Sequence, residues 1–237
     1  MKYRVLTISR EFGSGGLSIA RIVAGWLGWK VLDREIINAI AQRAKVDASV
    51  VSDYDERVGS WLRRINEEAV RSVATALGQP LRETDVFDAR TMTALTCKIV
   101  EEAYAAGNCV IVGRGSQCIL ERRPDVFHAF VYAPMKERVE RMRTRMALDP
   151  GVNVEQRIRS IDEIRAKYLQ QHFGRHWGNF QMYELMVRSC PDEQKSAGVI
   201  YFAMTGQMPP EPAREAASAN PEERAAGVRE SEKKGSQ

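Results

Sequence analysis

Ile8-Ser9-Arg10-Glu11-Phe12-Gly13-Ser14-Gly15-Gly16-Leu17-Ser18 is a glycine-rich turn whose flanks set the fold. Upstream, Tyr3-Arg4-Val5-Leu6-Thr7-Ile8 alternates as a strand does; downstream, Ile19, Ala20, Ile22, Val23, Ala24 and Leu27 recur at helical spacing. A helix N-terminus presents unpaired N–H groups and the positive end of a dipole, and glycines let a backbone curl closely around an anion. Gly13, Ser14, Gly15, Gly16, Leu17 and Ser18 are therefore a candidate phosphate cradle. The common pattern for such a loop is G-x-x-x-x-G-K-[ST], in which the lysine reaches the β- and γ-phosphates and the hydroxyl reaches Mg²⁺. With Ser18 as that hydroxyl, two residues after the lysine slot as in G-K-G-[ST] loops, Gly16 falls in the lysine slot and Arg10 stands where the first glycine belongs. Taken alone, the loop also reads as a tight turn without a ligand.

Composition bounds what surrounds the loop. A chain of 237 residues is long enough for one α/β domain with a substantial core. Its 44% hydrophobic and 28% charged residues are ordinary for a soluble globular protein. No apolar run approaches membrane-spanning length, and Met1-Lys2-Tyr3-Arg4 leads straight into the first strand, which predicts a cytoplasmic protein without a membrane partner. Cys97, Cys109, Cys118 and Cys190 are widely spaced, which suggests reduced, mostly buried thiols. The net charge of +4 is modest, but arginines crowd between Arg138 and Arg165, which suits anionic small ligands at least as well as nucleic acid.

Along the chain, strand and helix signals alternate, which implies a parallel sheet covered on both faces. Strands are expected at Trp29–Leu32, Cys109–Val112, Val126–Tyr132 and Tyr183–Val187. Helices are expected from Asp33 through Ala41, over about 48–78, and from about Asp88 to Ala106. Further helices are expected at Gln117–Glu121, from Lys136 to about Leu148, over Val154–Phe173 and over Asp192–Met204. Asp149-Pro150-Gly151 is a break, and Gly174 to Gln181 a loop. His172 and His176 flank Gly174 without a carboxylate and give no metal site. From Met208 onward the composition turns to proline, alanine, glutamate and lysine, and the tail 208–237 is expected to be disordered.

Four further segments line up with the loop: Leu32-Asp33-Arg34-Glu35, Val110-Ile111-Val112-Gly113-Arg114-Gly115, Ile161-Asp162-Glu163-Ile164-Arg165, and Tyr183-Glu184-Leu185. In this order the chain resembles the cytidylate kinase-like branch of the P-loop nucleoside monophosphate kinases, from about Tyr3 to Met204. The resemblance implies a three-layer α/β/α fold with a five-stranded parallel sheet. It implies a kinase-like domain over 1–207, with an inserted helical region at about 48–87 and a lid at about 136–160. ATP with Mg²⁺ would be the donor, and Ser18 would supply a metal-ligand hydroxyl.

The same resemblance implies roles for particular residues. Arg114 would hold the acceptor phosphate, although Gly115 stands where the family has an Asp. Asp162 and Arg165 would contact the acceptor's sugar and phosphate, with an intrahelical ion pair as the plainer reading. Asp33 would lie beside the acceptor, or serve as a helix N-cap, or both. Arg138, Arg141 and Arg145 share one helical face and look like lid arginines closing over the donor's phosphates. Arg10 is the first candidate to replace the lysine, and a lid arginine the next. The expected function is ATP-dependent phosphorylation of a nucleoside monophosphate such as CMP or dCMP. The alternative is a nucleotide- or phosphate-sensing domain with little or no turnover. Nucleic-acid binding is disfavoured because no aromatic platform is interleaved with the arginines.

Overall fold

A computed structural model describes residues 1–33, 38, 89–145, 151–189 and 192–210. The expected helices following Asp33 and over 48–78, the insertion at 48–87 and the tail beyond 210 lie outside these residues, as do 146–150 and Cys190. The described chain runs β1 (Val5–Arg10), α1 (Gly16–Leu27), β2 (Lys30–Leu32), α2 (Ala89–Ala106), β3 (Cys109–Val112), α3 (Ser116–Ile119) and β4 (Val126–Tyr132). It continues with α4 (Met135–Arg145), α5 (Val154–Phe173), a short 3₁₀ turn at Phe180–Met182, β5 (Leu185–Arg188) and α6 (Glu193–Thr205).

The five strands form one sheet in the order β2-β3-β1-β4-β5, with every pair parallel. β1 is central, so its C-terminal end opens between those of β3 and β4, where open α/β sheets bind ligands. The strand extends two residues beyond the Ile8 limit of its sequence alternation because pairing with β4 continues through Arg10 opposite Val131. Arg10 is thereby held on a strand end.

Both faces of the sheet are covered, which explains why β3 is apolar at every position and wholly buried. On one face Leu6, Ile8, Val110, Val112, Ala129 and Val131 pack with residues of α1 and α6. On the other, Val5, Cys109, Ile111 and Val126 meet Ile99 and Val100 of α2 and Leu120 just after α3. This is the three-layer α/β/α arrangement. A third cluster, Met142, Val154 and Ile158 with Phe12 against it, joins α4 and α5 to the glycine-rich loop. Among the described residues no helix is long and apolar enough to cross a membrane.

Aromatic rings gather around Phe130, whose ring meets Trp177 at 5.4 Å and Tyr183 at 5.2 Å. Tyr183 donates its hydroxyl to the Trp177 carbonyl at 2.9 Å. Cys97, Cys109 and Cys118 are free thiols. Burial pushes Cys109 up to about 11 and Cys118 to about 12, so both are protonated and unreactive near neutrality. His172 lies 3.1 Å from the Thr93 hydroxyl, and burial lowers its pKa.

Candidate active site

The loop between β1 and α1 has the backbone of an anion cradle. Gly13 and Gly15 adopt φ of +80° and +83°, in the left-handed region that glycine enters without a Cβ penalty. Gly15 is the N-cap of α1 and makes no side-chain cap bond, so by helix geometry the first-turn N–H groups point toward the loop. The buried Ser14 turns inward and donates its hydroxyl to the Glu11 carbonyl at 2.9 Å, which shapes the turn. Ser18 sits in the first turn of α1, where its hydroxyl accepts from Arg145 Nη1 at 3.3 Å.

Arg10 fills the region of the absent lysine. A Cβ built on Gly16 would lie 2.6 Å from Arg10 Cβ and 2.9 Å from Arg10 Cγ. A side chain at position 16 and one at position 10 therefore exclude each other. From there the Arg10 side chain reaches the end of β3, where a Cβ on Gly113 would collide with its Nη1. Its Nη2 stands 3.7 Å from Asp33 Oδ1, with both side chains about four-fifths buried, at 21% and 20% exposure. The ends of β1, β2 and β3 thus converge on one guanidinium group.

Gly113, Arg114 and Gly115 follow β3 with φ of +74°, +63° and +67°. Among the described residues Arg114 and Asn108 are the non-glycine residues at positive φ. Such backbone strain concentrates at functional sites, and here it falls at the C-terminal end of β3. Gly115, the departure from the family's Asp, has a local reason: a Cβ there would come within 2.5 Å of Phe173 Cε2. The ring at the end of α5 occupies the space an aspartate would need.

The expected lid arginines divide by depth. Arg138, only 4% exposed, donates from Nε to the Phe12 carbonyl at 2.8 Å, pairs with Asp162, and lies 3.3 Å from Glu11. Its charge is spent fastening the loop to α4 and α5. Arg141 donates to the Gly13 carbonyl at 2.6 Å, and Arg145 to Ser18. Both also approach Glu193, at 3.9 and 2.8 Å.

Asp162 and Arg165 form the i, i+3 pair at 4.0 Å, and besides the Arg138 contact of Asp162 both reach the end of β1 and the loop after it. Asp162 accepts the Phe12 N–H at 2.8 Å, and Arg165 donates to the Arg10 carbonyl at 2.9 Å while its guanidinium lies over the Phe12 ring. Glu11 accepts the Ala133 N–H at 3.0 Å and its own N–H donates to Val131, which locks the loop to the end of β4. Glu11 and Glu193 were not among the expected site residues. Glu11 lies inside the quoted loop motif, whereas only the first turn of α6 marks Glu193. Among the described residues no cluster of His, Cys, Asp and Glu is placed to hold a metal ion by itself.

Comparison with known proteins places this geometry. The fold is similar to the crystal structure of an uncharacterized protein from Eubacterium ventriosum ATCC 27560, at 17% identity and a TM-score of 0.60, covering 86% of this chain and 99% of that one. A shikimate kinase from Acinetobacter baumannii in complex with shikimate matches at 13% identity and a TM-score of 0.49, over 86% of this chain and 94% of that one. No curated protein matches the chain. The model of the cytidylate kinase-like family, however, matches residues 5–190, from the first residue of β1 to just beyond β5. With its loop at the end of a central strand and its five-stranded parallel sheet, the chain has the P-loop kinase fold and belongs to the cytidylate kinase-like family.

Proposed function

We propose that this protein is a cytoplasmic phosphotransferase that moves the γ-phosphoryl of ATP, held with Mg²⁺, onto a nucleoside monophosphate, with CMP or dCMP as the first candidates. The observation that carries the reading is Arg10 lying across Gly16, with its guanidinium directed to Gly113 and Asp33. Phosphoryl transfer needs positioning and charge neutralisation more than covalent help from the protein. A cation that spans from the cradle to the end of β3 joins the loop to the turn that carries Arg114. Arg10 thus supplies, from the strand side, the charge that a lysine supplies from the helix side.

The remaining residues divide the work. Backbone N–H groups of Gly13 to Ser18 hold the donor's phosphates, and the Ser18 hydroxyl at the start of α1 fits an oxygen-liganded cation. When bound there, Mg²⁺ would neutralise charge on the donor's phosphates. Arg141 and Arg145 of the lid segment 136–160 supply further positive charge beside the loop. Arg114 and Asp33 face the acceptor. Arg138, Asp162 and Arg165 are positioning residues, because their bonds fix the loop backbone and the strand end that carries Arg10. The acceptor phosphate is ionised near neutrality, so Asp33 orients Arg10 and the acceptor rather than serving as an obligatory base.

The test is a panel of nucleoside monophosphates with ATP and Mg²⁺, read by ADP formation. Turnover with a pyrimidine monophosphate, lost when Mg²⁺ is chelated, supports the reading. Tight ATP binding with no transfer to any monophosphate would replace it by a nucleotide-sensing domain of the same fold.

A further inference from the structure

The last described helix also brings a carboxylate to the cradle. Glu193, in the first turn of α6, is 13% exposed at its side chain, and a Cβ on Gly15 would collide with its Oε1. The same oxygen accepts from Arg145 Nη2 at 2.8 Å and lies 3.9 Å from Arg141 Nε. Both arginines meanwhile donate to the cradle itself, Arg141 to the Gly13 carbonyl and Arg145 to the Ser18 hydroxyl. Two guanidinium groups beside the positive end of α1 repel one another unless an anion sits among them. Glu193 is that anion.

A carboxylate and a phosphate make the same charge-assisted bonds to guanidinium, and both cannot saturate one fork. We propose that Glu193 is a built-in competitor of the donor's phosphates. It holds Arg141 and Arg145 against the loop, yields them when a polyphosphate binds, and so sets donor affinity. The inference rests on reading Gly13 to Ser18 as the donor cradle. It assigns Glu193 a role opposite to that of a ligand-binding residue: its removal strengthens binding.

Calorimetric titration of the full chain with inorganic pyrophosphate and with ADP tests this in the wild type, Glu193→Gln and Glu193→Asp. Glu193→Gln is expected to bind both probes about threefold to tenfold more tightly, the scale of one partly exposed charge-assisted bond. Glu193→Asp keeps the charge on a shorter stem and is expected to fall between, which guards against misreading a folding defect in the first variant. Equal or weaker binding of both probes to Glu193→Gln would overturn the proposal and make Glu193 a packing or orienting residue. Tighter pyrophosphate binding without any ADP binding keeps the competition and overturns the nucleotide reading instead. Binding of neither probe to any of the three proteins overturns both.

Discussion

Replacing Gly16 by alanine adds one methyl group at the point where the loop departs from the common pattern. The new Cβ would meet Arg10 Cβ at 2.6 Å and Cγ at 2.9 Å, while Val131 Cβ at 3.7 Å is an ordinary contact. Relaxed carbon–carbon contacts lie near 3.5–4.0 Å, so a displacement of about 1 Å is required. Arg10 cannot retreat easily: its backbone is paired with Val131 of β4 and its carbonyl is held by Arg165. The start of α1 must therefore move, and the cradle with it. Overpacking costs about 1–3 kcal/mol, and alanine returns about 1 kcal/mol through helix propensity, so stability falls by no more than about 2 kcal/mol. A catalytic group displaced by about 1 Å loses on the order of a hundredfold in turnover. Differential scanning calorimetry beside steady-state kinetics should show a small fall in Tm and a large fall in kcat. Adding Arg10→Gly to Gly16→Ala should recover Tm and leave turnover low, because the collision and the guanidinium vanish together. A Gly16→Ala enzyme with unaltered kcat/KM would refute the mutual exclusion of side chains at positions 10 and 16.

Three other outcomes follow from the same geometry. Arg138→Gln leaves Glu11 and Asp162 without their shared buried cation, which should cost about 3–5 kcal/mol and lower Tm by about 10 °C in a thermal melt. Gly115→Asp, which restores the family's residue, forces a side chain to φ +67° against Phe173; it should destabilise by about 1–3 kcal/mol in urea unfolding, and Phe173→Ala should relieve part of that loss. Cys118 and Cys109, raised to about 12 and about 11, should be alkylated by iodoacetamide at pH 8 roughly a hundredfold or more slower than an exposed thiol, as peptide mass spectrometry would record.

Much of the sheet was legible because its strands advertise themselves. Cys109–Val112 and Val126–Tyr132 are the observed limits of β3 and β4, and Val154–Phe173 those of α5, which has Asn153 and Gly174 as its caps. β5 lies one or two residues later than expected, at Leu185–Arg188, because register with β4 rather than apolar content sets its start. Side-chain destinations were less legible. The i, i+3, i+7 spacing put Arg138, Arg141 and Arg145 on one face, yet Arg138 is buried under the loop while Arg145 is 48% exposed at its side chain. Helical spacing assigns a stripe; the contacts of Arg138 with Phe12, Glu11 and Asp162 decide its depth. Asp162 meets Phe12 across a separation of 150 residues, a contact no local pattern encodes. The roles of Glu11 and Glu193 are likewise products of tertiary packing, between β1 and β4 and between α6 and α4.

Turnover of Arg10→Ala, measured by ADP release at saturating ATP and Mg²⁺ with the best monophosphate acceptor of the wild type, tests most directly whether Arg10 does the lysine's work. Loss of one strong electrostatic contact to the transferring group costs about 10²–10³ in kcat, and that fall is expected with the fold intact by circular dichroism. A kcat within about threefold of wild type, far below that scale, would contradict the assignment and shift the role to a lid arginine.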